Sequence, residues 1–291
     1  YAWKFKSGQD NLDNKDVINL FFLGTSTPPL FGIHNVDVAE TGHIICQLAL
    51  QKAKKGEPTL LVKGIATANM GGDFPLSALK NPNIQGVSNS NFESVQKTLT
   101  TVKGTGAEKR VSMAMEQYFI PNLFKMITEK PLQHRQELMI NLAGHSRGGI
   151  TTFIAADCIN QFIEQMINGK EGVDYDVKTL SQMCGLSQSE IRTAIQNIKD
   201  NQQKIKMKLC ALDPVEGARS MADWSSPFSG NTPKIKVPIA GLTNQITCSY
   251  ESMPERLSEA CVFFASDERR SGFRPTIPSF SDKTKVVFKR A

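Results

Sequence analysis

The chain has 291 residues, 40% of them hydrophobic and 21% charged, with a formal net charge of +6. That is ordinary globular composition, enough for one large α/β domain or two small ones. No run approaches the roughly 18 consecutive apolar residues of a membrane-spanning helix, and no nucleic-acid-binding module is visible.

Asp16–Gly24 reads as a buried strand that ends in a Gly-Thr-Ser-Thr-Pro-Pro loop. Residues 40–55 carry Ile44, Ile45, Leu48 and Ala49 at helical spacing. Pro58–Ala66 reads as a second strand, followed by a glycine-rich loop at Gly71–Gly72. Gly106–Glu129 is predicted helical, with a kink or break at Pro121. Glu137–Ala143 is a strand and Ile150–Ile167 a helix. Residues 168–204 are polar and helix-forming, and Ser187–Glu190 fits a capping box. This segment reads as an inserted helical cap.

Ile205–Leu212 is the next predicted strand and ends at Asp213–Pro214. Residues 218–247 are rich in Ser, Pro, Gly and Asn, hence a long loop of the kind that carries function or is disordered. Met253–Glu259 reads as a short helix, Ala260–Ala265 as a strand and Lys285–Phe288 as a last strand. Strands alternating with helices predict an α/β fold. Its central sheet is mostly parallel, with helices on both faces, in a single domain over residues 1–291.

The segment that carries chemistry is Gly144–His145–Ser146–Arg147–Gly148, set between the strand and the helix. Gly-x-Ser-x-Gly in a strand–turn–helix context is the nucleophile elbow of an α/β-hydrolase. Ser146 is then the nucleophile at the apex, and the flanking glycines let strand and helix approach closely. The backbone N–H of Arg147 is the first oxyanion donor. Gly24 and Thr25, in the loop after the first strand, are candidates for the second.

The triad of this fold runs Ser, then Asp or Glu, then His. Asp213 ends the strand after the elbow and is the candidate acid, which would hold the histidine tautomer and stabilise the imidazolium. A turn or helix-cap aspartate before Pro214 is the competing reading. Asp267, after the following strand, is the alternative acid. The histidines are His34, His43, His134 and His145, and none follows Asp213. His145 lies inside the elbow, where its side chain is expected to point away from the serine oxygen. His34 is the one that could approach from above. Without a base the serine hydroxyl is a poor nucleophile. Either the histidine lies beyond Ala291, or the site is inactive or uses another base.

The cysteines Cys46, Cys158, Cys184, Cys210, Cys248 and Cys261 are widely spaced, with no CxxC and no histidine pair nearby, which argues against zinc. They read as small core residues in a reducing compartment. Basic clusters at 52–55, 204–208 and 283–290 read as solvated surface, with a weak pull toward anionic membranes or acidic partners. The chain opens on Tyr1 with no charged n-region and apolar h-region, so a signal peptide is absent, already removed or cut off.

Several segments together resemble the α/β-hydrolase family that includes the type VI secretion phospholipase effectors and their uncharacterised bacterial relatives. They are Phe21–Phe22–Leu23–Gly24–Thr25, the elbow Gly144–His145–Ser146–Arg147–Gly148–Gly149, and Leu212–Asp213–Pro214–Val215. Asp267–Glu268–Arg269–Arg270 with Phe273–Arg274–Pro275 is the most specific of the matches, and Gly104–Thr105–Gly106 before a long helix is also similar. Leu23 stands where the family has an aspartate. The family's next element is a strand followed by the catalytic histidine. Here Lys285–Val286–Val287–Phe288 is that strand, so the resemblance implies a histidine just past Ala291.

The expected activity is therefore a serine esterase or lipase acting through a Ser146 acyl-enzyme. The resemblance implies a phospholipid or other lipid acyl ester as substrate, and secretion into a target or host cell. Peripheral membrane contact is a further expectation. The chemistry calls for no cofactor and no metal. Segments 168–204 and 218–247 are candidates for a lid over Ser146. The competing class is a catalytically inactive binding protein on the hydrolase scaffold, which Leu23 and the missing histidine favour. Acyl transfer from the same serine is a third reading.

Overall fold

The computed structural model describes residues 16–24, 44–62, 84–87, 107–215, 235–264 and 277–290. Nine strands lie within them: β1 (Val17–Phe22), β2 (Thr59–Val62), β3 (Ile84–Val87), β4 (Leu138–His145), β5 (Ile205–Leu212), β6 (Ile235–Val237), β7 (Ile246–Cys248), β8 (Leu257–Phe264) and β9 (Lys285–Arg290). Seven of them form one sheet in the order β3–β2–β1–β4–β5–β8–β9, and each of its described pairings is parallel. β6 and β7 form a separate antiparallel pair.

A parallel sheet must be covered on both faces. Strand alternation divides the apolar residues accordingly. Phe21, Leu23, Leu61 and Ala143 meet Ile45, Cys46 and Ala49 of helix α1 (Ile44–Lys54) in one cluster. Leu20, Phe22, Leu60, Val62, Ile140 and Leu142 belong to the larger cluster on the opposite face. Helices α2 (Ala107–Ala114), α3 (Ile120–Glu129) and α4 (Arg147–Asn168) contribute to that cluster. β1 is buried at every position, which is why its sequence is apolar but for Asn19, whose buried side-chain amide donates to Glu57 and to Pro58 O. The fold is α/β, as the sequence predicts.

Pro121 does not break the helical segment 107–129, which continues through it. Met115–Phe119 widen into a π-helical turn, and the Ile120 N–H donates to Met115 O, five residues back. Pro121 then falls in the first turn of α3, where its fixed φ suits the helix. At the foot of this segment, Lys130 Nζ and the Arg135 guanidinium both bond the buried carboxylate of Asp16, the residue before β1. The helix therefore runs antiparallel to the strands and ends at their N-terminal edge.

Residues 168–204 form α5 (Val177–Cys184) and α6 (Gln188–Asn201). The capping box is present: Glu190 N–H donates to Ser187 Oγ, and Ser187 N–H donates to the Glu190 carboxylate. Ile191, Ala194, Ile195 and Ile198 of α6 are buried in the main core. Asn197 accepts from Leu132 N–H at 2.7 Å, and Lys204 Nζ donates to the carbonyls of Leu132, Gln133 and Arg135. These residues precede β4, at the edge opposite Ser146. The described contacts of 168–204 thus extend the outer helix layer, and none of them closes over the serine.

Two further expectations are corrected. Residues 218–234 lie outside the described residues, but the rest of the 218–247 stretch is not all loop, since β6 falls within it and β7 begins at Ile246, each strand three residues long and too short to show a period. Met253–Glu259 is not a helix. The Met253 N–H donates to Ser279 O, and β8 starts at Leu257, which pairs with Met207.

Candidate active site

β4 delivers the chain to the C-terminal edge of the sheet between β1 and β5. Ser146, the next residue, has φ 57° and ψ −126°, and α4 begins at Arg147. L side chains disfavour this backbone region, and a residue held in it marks a site that its surroundings over-determine. The surroundings here are the two flanking glycines. A Cβ on Gly144 would lie 2.2 Å from Gly148 O, and one on Gly148 would lie 2.3 Å from Phe22 O. Strand β4, the first turn of α4 and the end of β1 can meet this closely only without those side chains.

Hydrogen bonds hold the apex from the other flank. Ser146 N–H donates to Leu212 O at 2.8 Å, and Ser146 O accepts from Gly149 N–H at 2.9 Å. Leu212 is the last residue of β5 and Asp213 follows it. Asp213 N–H donates to Phe263 O at 2.7 Å, which anchors the aspartate to β8. Asp213 has φ 46°, and it and Ser146 are the two non-glycine residues with positive φ among the described ones. Both strained positions therefore sit at the ends of the adjacent strands β4 and β5.

His145 joins three strand ends. A Cβ built on Gly24 would lie 3.0 Å from its Nδ1 and 3.4 Å from Ser146 Cβ, so the end of β1 rests against the elbow. Burial holds the His145 pKa below its ordinary 6.5, and the Asp213 carboxylate opposes that shift without overcoming it. The ring is accordingly neutral at pH 7. Sequence reasoning placed His145 in the elbow but not beside both Gly24 and the field of Asp213. That neighbourhood depends on strand order, which the sequence does not print.

Arg147 opens α4, so its backbone N–H belongs to the positive end of the helix dipole, the ordinary setting for an oxyanion donor. Its side chain is buried, and burial pushes the guanidinium down from the usual arginine range. The structure thus brings together Ser146, Arg147, Asp213 and Gly24. Thr25, Asp267, His34 and His43 lie outside the described residues, as do the Asp267–Arg270 and Phe273–Pro275 motifs and Gly104–Gly106. His134 is exposed in the turn before β4, at the far edge of the sheet.

The six cysteines are free thiols and all at least partly buried, and burial pushes those of Cys184 and Cys210 up to about 12. They are core residues rather than nucleophiles. Among the described residues no group of three or more His, Cys, Asp or Glu is arranged to hold a metal ion. No described helix is long and apolar enough to cross a membrane.

No family model matches the chain, and no curated protein matches it. Among solved structures it is similar to the Tle1 effector bound to the VgrG spike from the Type 6 secretion system, at 14% identity and a TM-score of 0.36. That match covers 94% of this chain and 49% of the other. It is also similar to an uncharacterized protein from Pseudomonas aeruginosa, at 15% identity and a TM-score of 0.32, covering 94% of this chain and 40% of that one. The chain spans half or less of the length of these structures.

Proposed function

We propose that this protein is a serine hydrolase of acyl esters, with Ser146 as nucleophile. The observation that carries the reading is the backbone of Ser146, a strained serine at the apex of a strand-to-helix turn with glycine on both sides. A structural turn has no need of a serine there, because glycine adopts that φ without strain. Ser146 Oγ attacks the ester carbonyl carbon and the alcohol leaves with a proton. Water then cleaves the acyl–serine ester. The Arg147 N–H and a donor from Gly24 or Thr25 stabilise the oxyanion. A histidine from outside the described residues takes the serine proton, and Asp213 orients it. The substrate class is a lipid acyl ester, and the setting is a secreted bacterial effector. The motif resemblance supports both.

A second reading is a hydrolase-fold binding protein without catalysis. Leu23 favours it. The family's aspartate is replaced by a side chain 1% exposed and packed among Phe21, Ile45 and Leu61, so that position lends the oxyanion loop no polar support.

Hydrolysis of p-nitrophenyl esters of increasing chain length, by the wild type and by Ser146→Ala, separates the two. Turnover that falls to background in the variant supports the hydrolase. A folded wild type that cleaves none of them favours the binding protein.

A further inference from the structure

Helix α2 carries a cation on its buried side. Ala107, Val111 and Ala114 are its buried residues. Positions 107, 110, 111 and 114 share one helical face. Arg110 therefore turns inward with them, and it is only partly exposed. Burial alone pushes its guanidinium down to about 10, with no carboxylate opposing the shift. Among the described residues it makes no hydrogen bond or ion pair.

The chain direction fixes where Arg110 lies. Lys130 Nζ bonds Asp16 at the N-terminal edge of the sheet, 3.2 Å away. At 1.5 Å per residue Arg110 stands about 30 Å along the helix axis from that point, whereas the eight residues of β4 span about 26 Å. Arg110 is thus level with the edge that carries Ser146. It lies on the face covered by α4, against which α2 packs. Arg147 and the positive end of the α4 dipole lie at the same edge.

A guanidinium taken out of water without a partner is costly. The cost is relieved when an oxyanion arrives, most fully one that accepts two parallel N–H bonds. We propose that Arg110 binds a phosphate-type oxyanion at the Ser146 edge of the sheet, the head-group phosphate of the ester substrate. The assignment to substrate rests on the serine-hydrolase reading above. The site itself rests on the placement of Arg110.

The test is thermal unfolding of Ser146→Ala, in which no ester is turned over, titrated with inorganic phosphate or with dihexanoylphosphatidylglycerol, each against chloride at equal ionic strength. At ten times the dissociation constant the melting temperature should rise about 3 °C. Adding Arg110→Met should abolish the rise, and adding Arg110→Lys should retain part of it. With no anion present, Arg110→Met should melt higher than its parent, since the unpaired charge is gone. A response to the lipid alone identifies the head group, and a response to both identifies the phosphate itself. No response to either, an unchanged response in Arg110→Met, or a lower melting point for that variant without anion would overturn the proposal. Because nothing is turned over, loss of esterase activity in the wild type would sink the hydrolase reading separately.

Discussion

The backbone N–H of Ser146 is hydrogen-bonded to the carbonyl oxygen of Leu212 at 2.8 Å. One bond thereby ties the residue after β4 to the last residue of β5, and Asp213 is the next residue along. Ser146 and Asp213, the proposed nucleophile and acid, are set relative to each other by backbone, before any side chain is considered. Pre-setting of this kind keeps catalytic groups in reacting geometry without reorganisation.

The strain at Ser146 has a stability cost that a variant can recover. Ser146→Gly adopts the same φ freely, whereas Ser146→Ala retains the penalty. Ser146→Gly should be more stable than Ser146→Ala by about 1 kcal/mol, after the greater chain entropy of glycine offsets part of the gain. Urea unfolding of the two variants measures the difference.

Asp213→Asn should keep the fold and lose the reaction. Asparagine tolerates the left-handed backbone at this position as well as aspartate does. It cannot stabilise an imidazolium, and it favours the wrong histidine tautomer. Ester turnover should fall about 10³- to 10⁴-fold with an unchanged circular dichroism spectrum. An unchanged rate would move the acid to Asp267.

His145 makes stability depend on pH. Its folded pKa lies below the ordinary 6.5 because burial disfavours the charged ring. Below pH 6.5 the unfolded chain therefore binds a proton that the folded chain refuses. The contribution is fully present above that value and is lost as the pH falls through the window down to the folded pKa. Denaturation midpoints of the wild type should drop across this window, and His145→Gln should drop less.

Tyr118 lies in the π-helical turn, 2% exposed, and its hydroxyl has no hydrogen-bond partner among the described residues. Burial accordingly pushes the phenol well above its usual range. Tyr118→Phe removes an unsatisfied polar group and leaves the ring packed. It should stabilise the protein by about 1 kcal/mol, read as a raised thermal midpoint.

The elbow, the apolar strands and the Ser187–Glu190 capping box were legible in the sequence because each depends on neighbours within four residues. The run from Leu138 to Gly148 names a strand, a turn and a helix in one segment. What was not legible depends on chain distant in sequence. The π-helical turn at Met115–Phe119 precedes Pro121 and leaves no compositional mark. Leu257 reads as helical in isolation, yet it pairs with Met207, fifty residues earlier. Residues 168–204 read as helical in sequence, but their attachment through Asn197 and Lys204 to Leu132–Arg135 follows only from the assembled fold.

The most direct test of the central claim is active-site labelling with a fluorophosphonate probe, run on the wild type and on Ser146→Ala in parallel. The probe reacts with a serine only when a base and an oxyanion hole activate it. Labelling of the wild type that disappears in Ser146→Ala is the predicted result. A folded wild type that takes up no probe, or equal labelling of both proteins, would contradict Ser146 as the nucleophile.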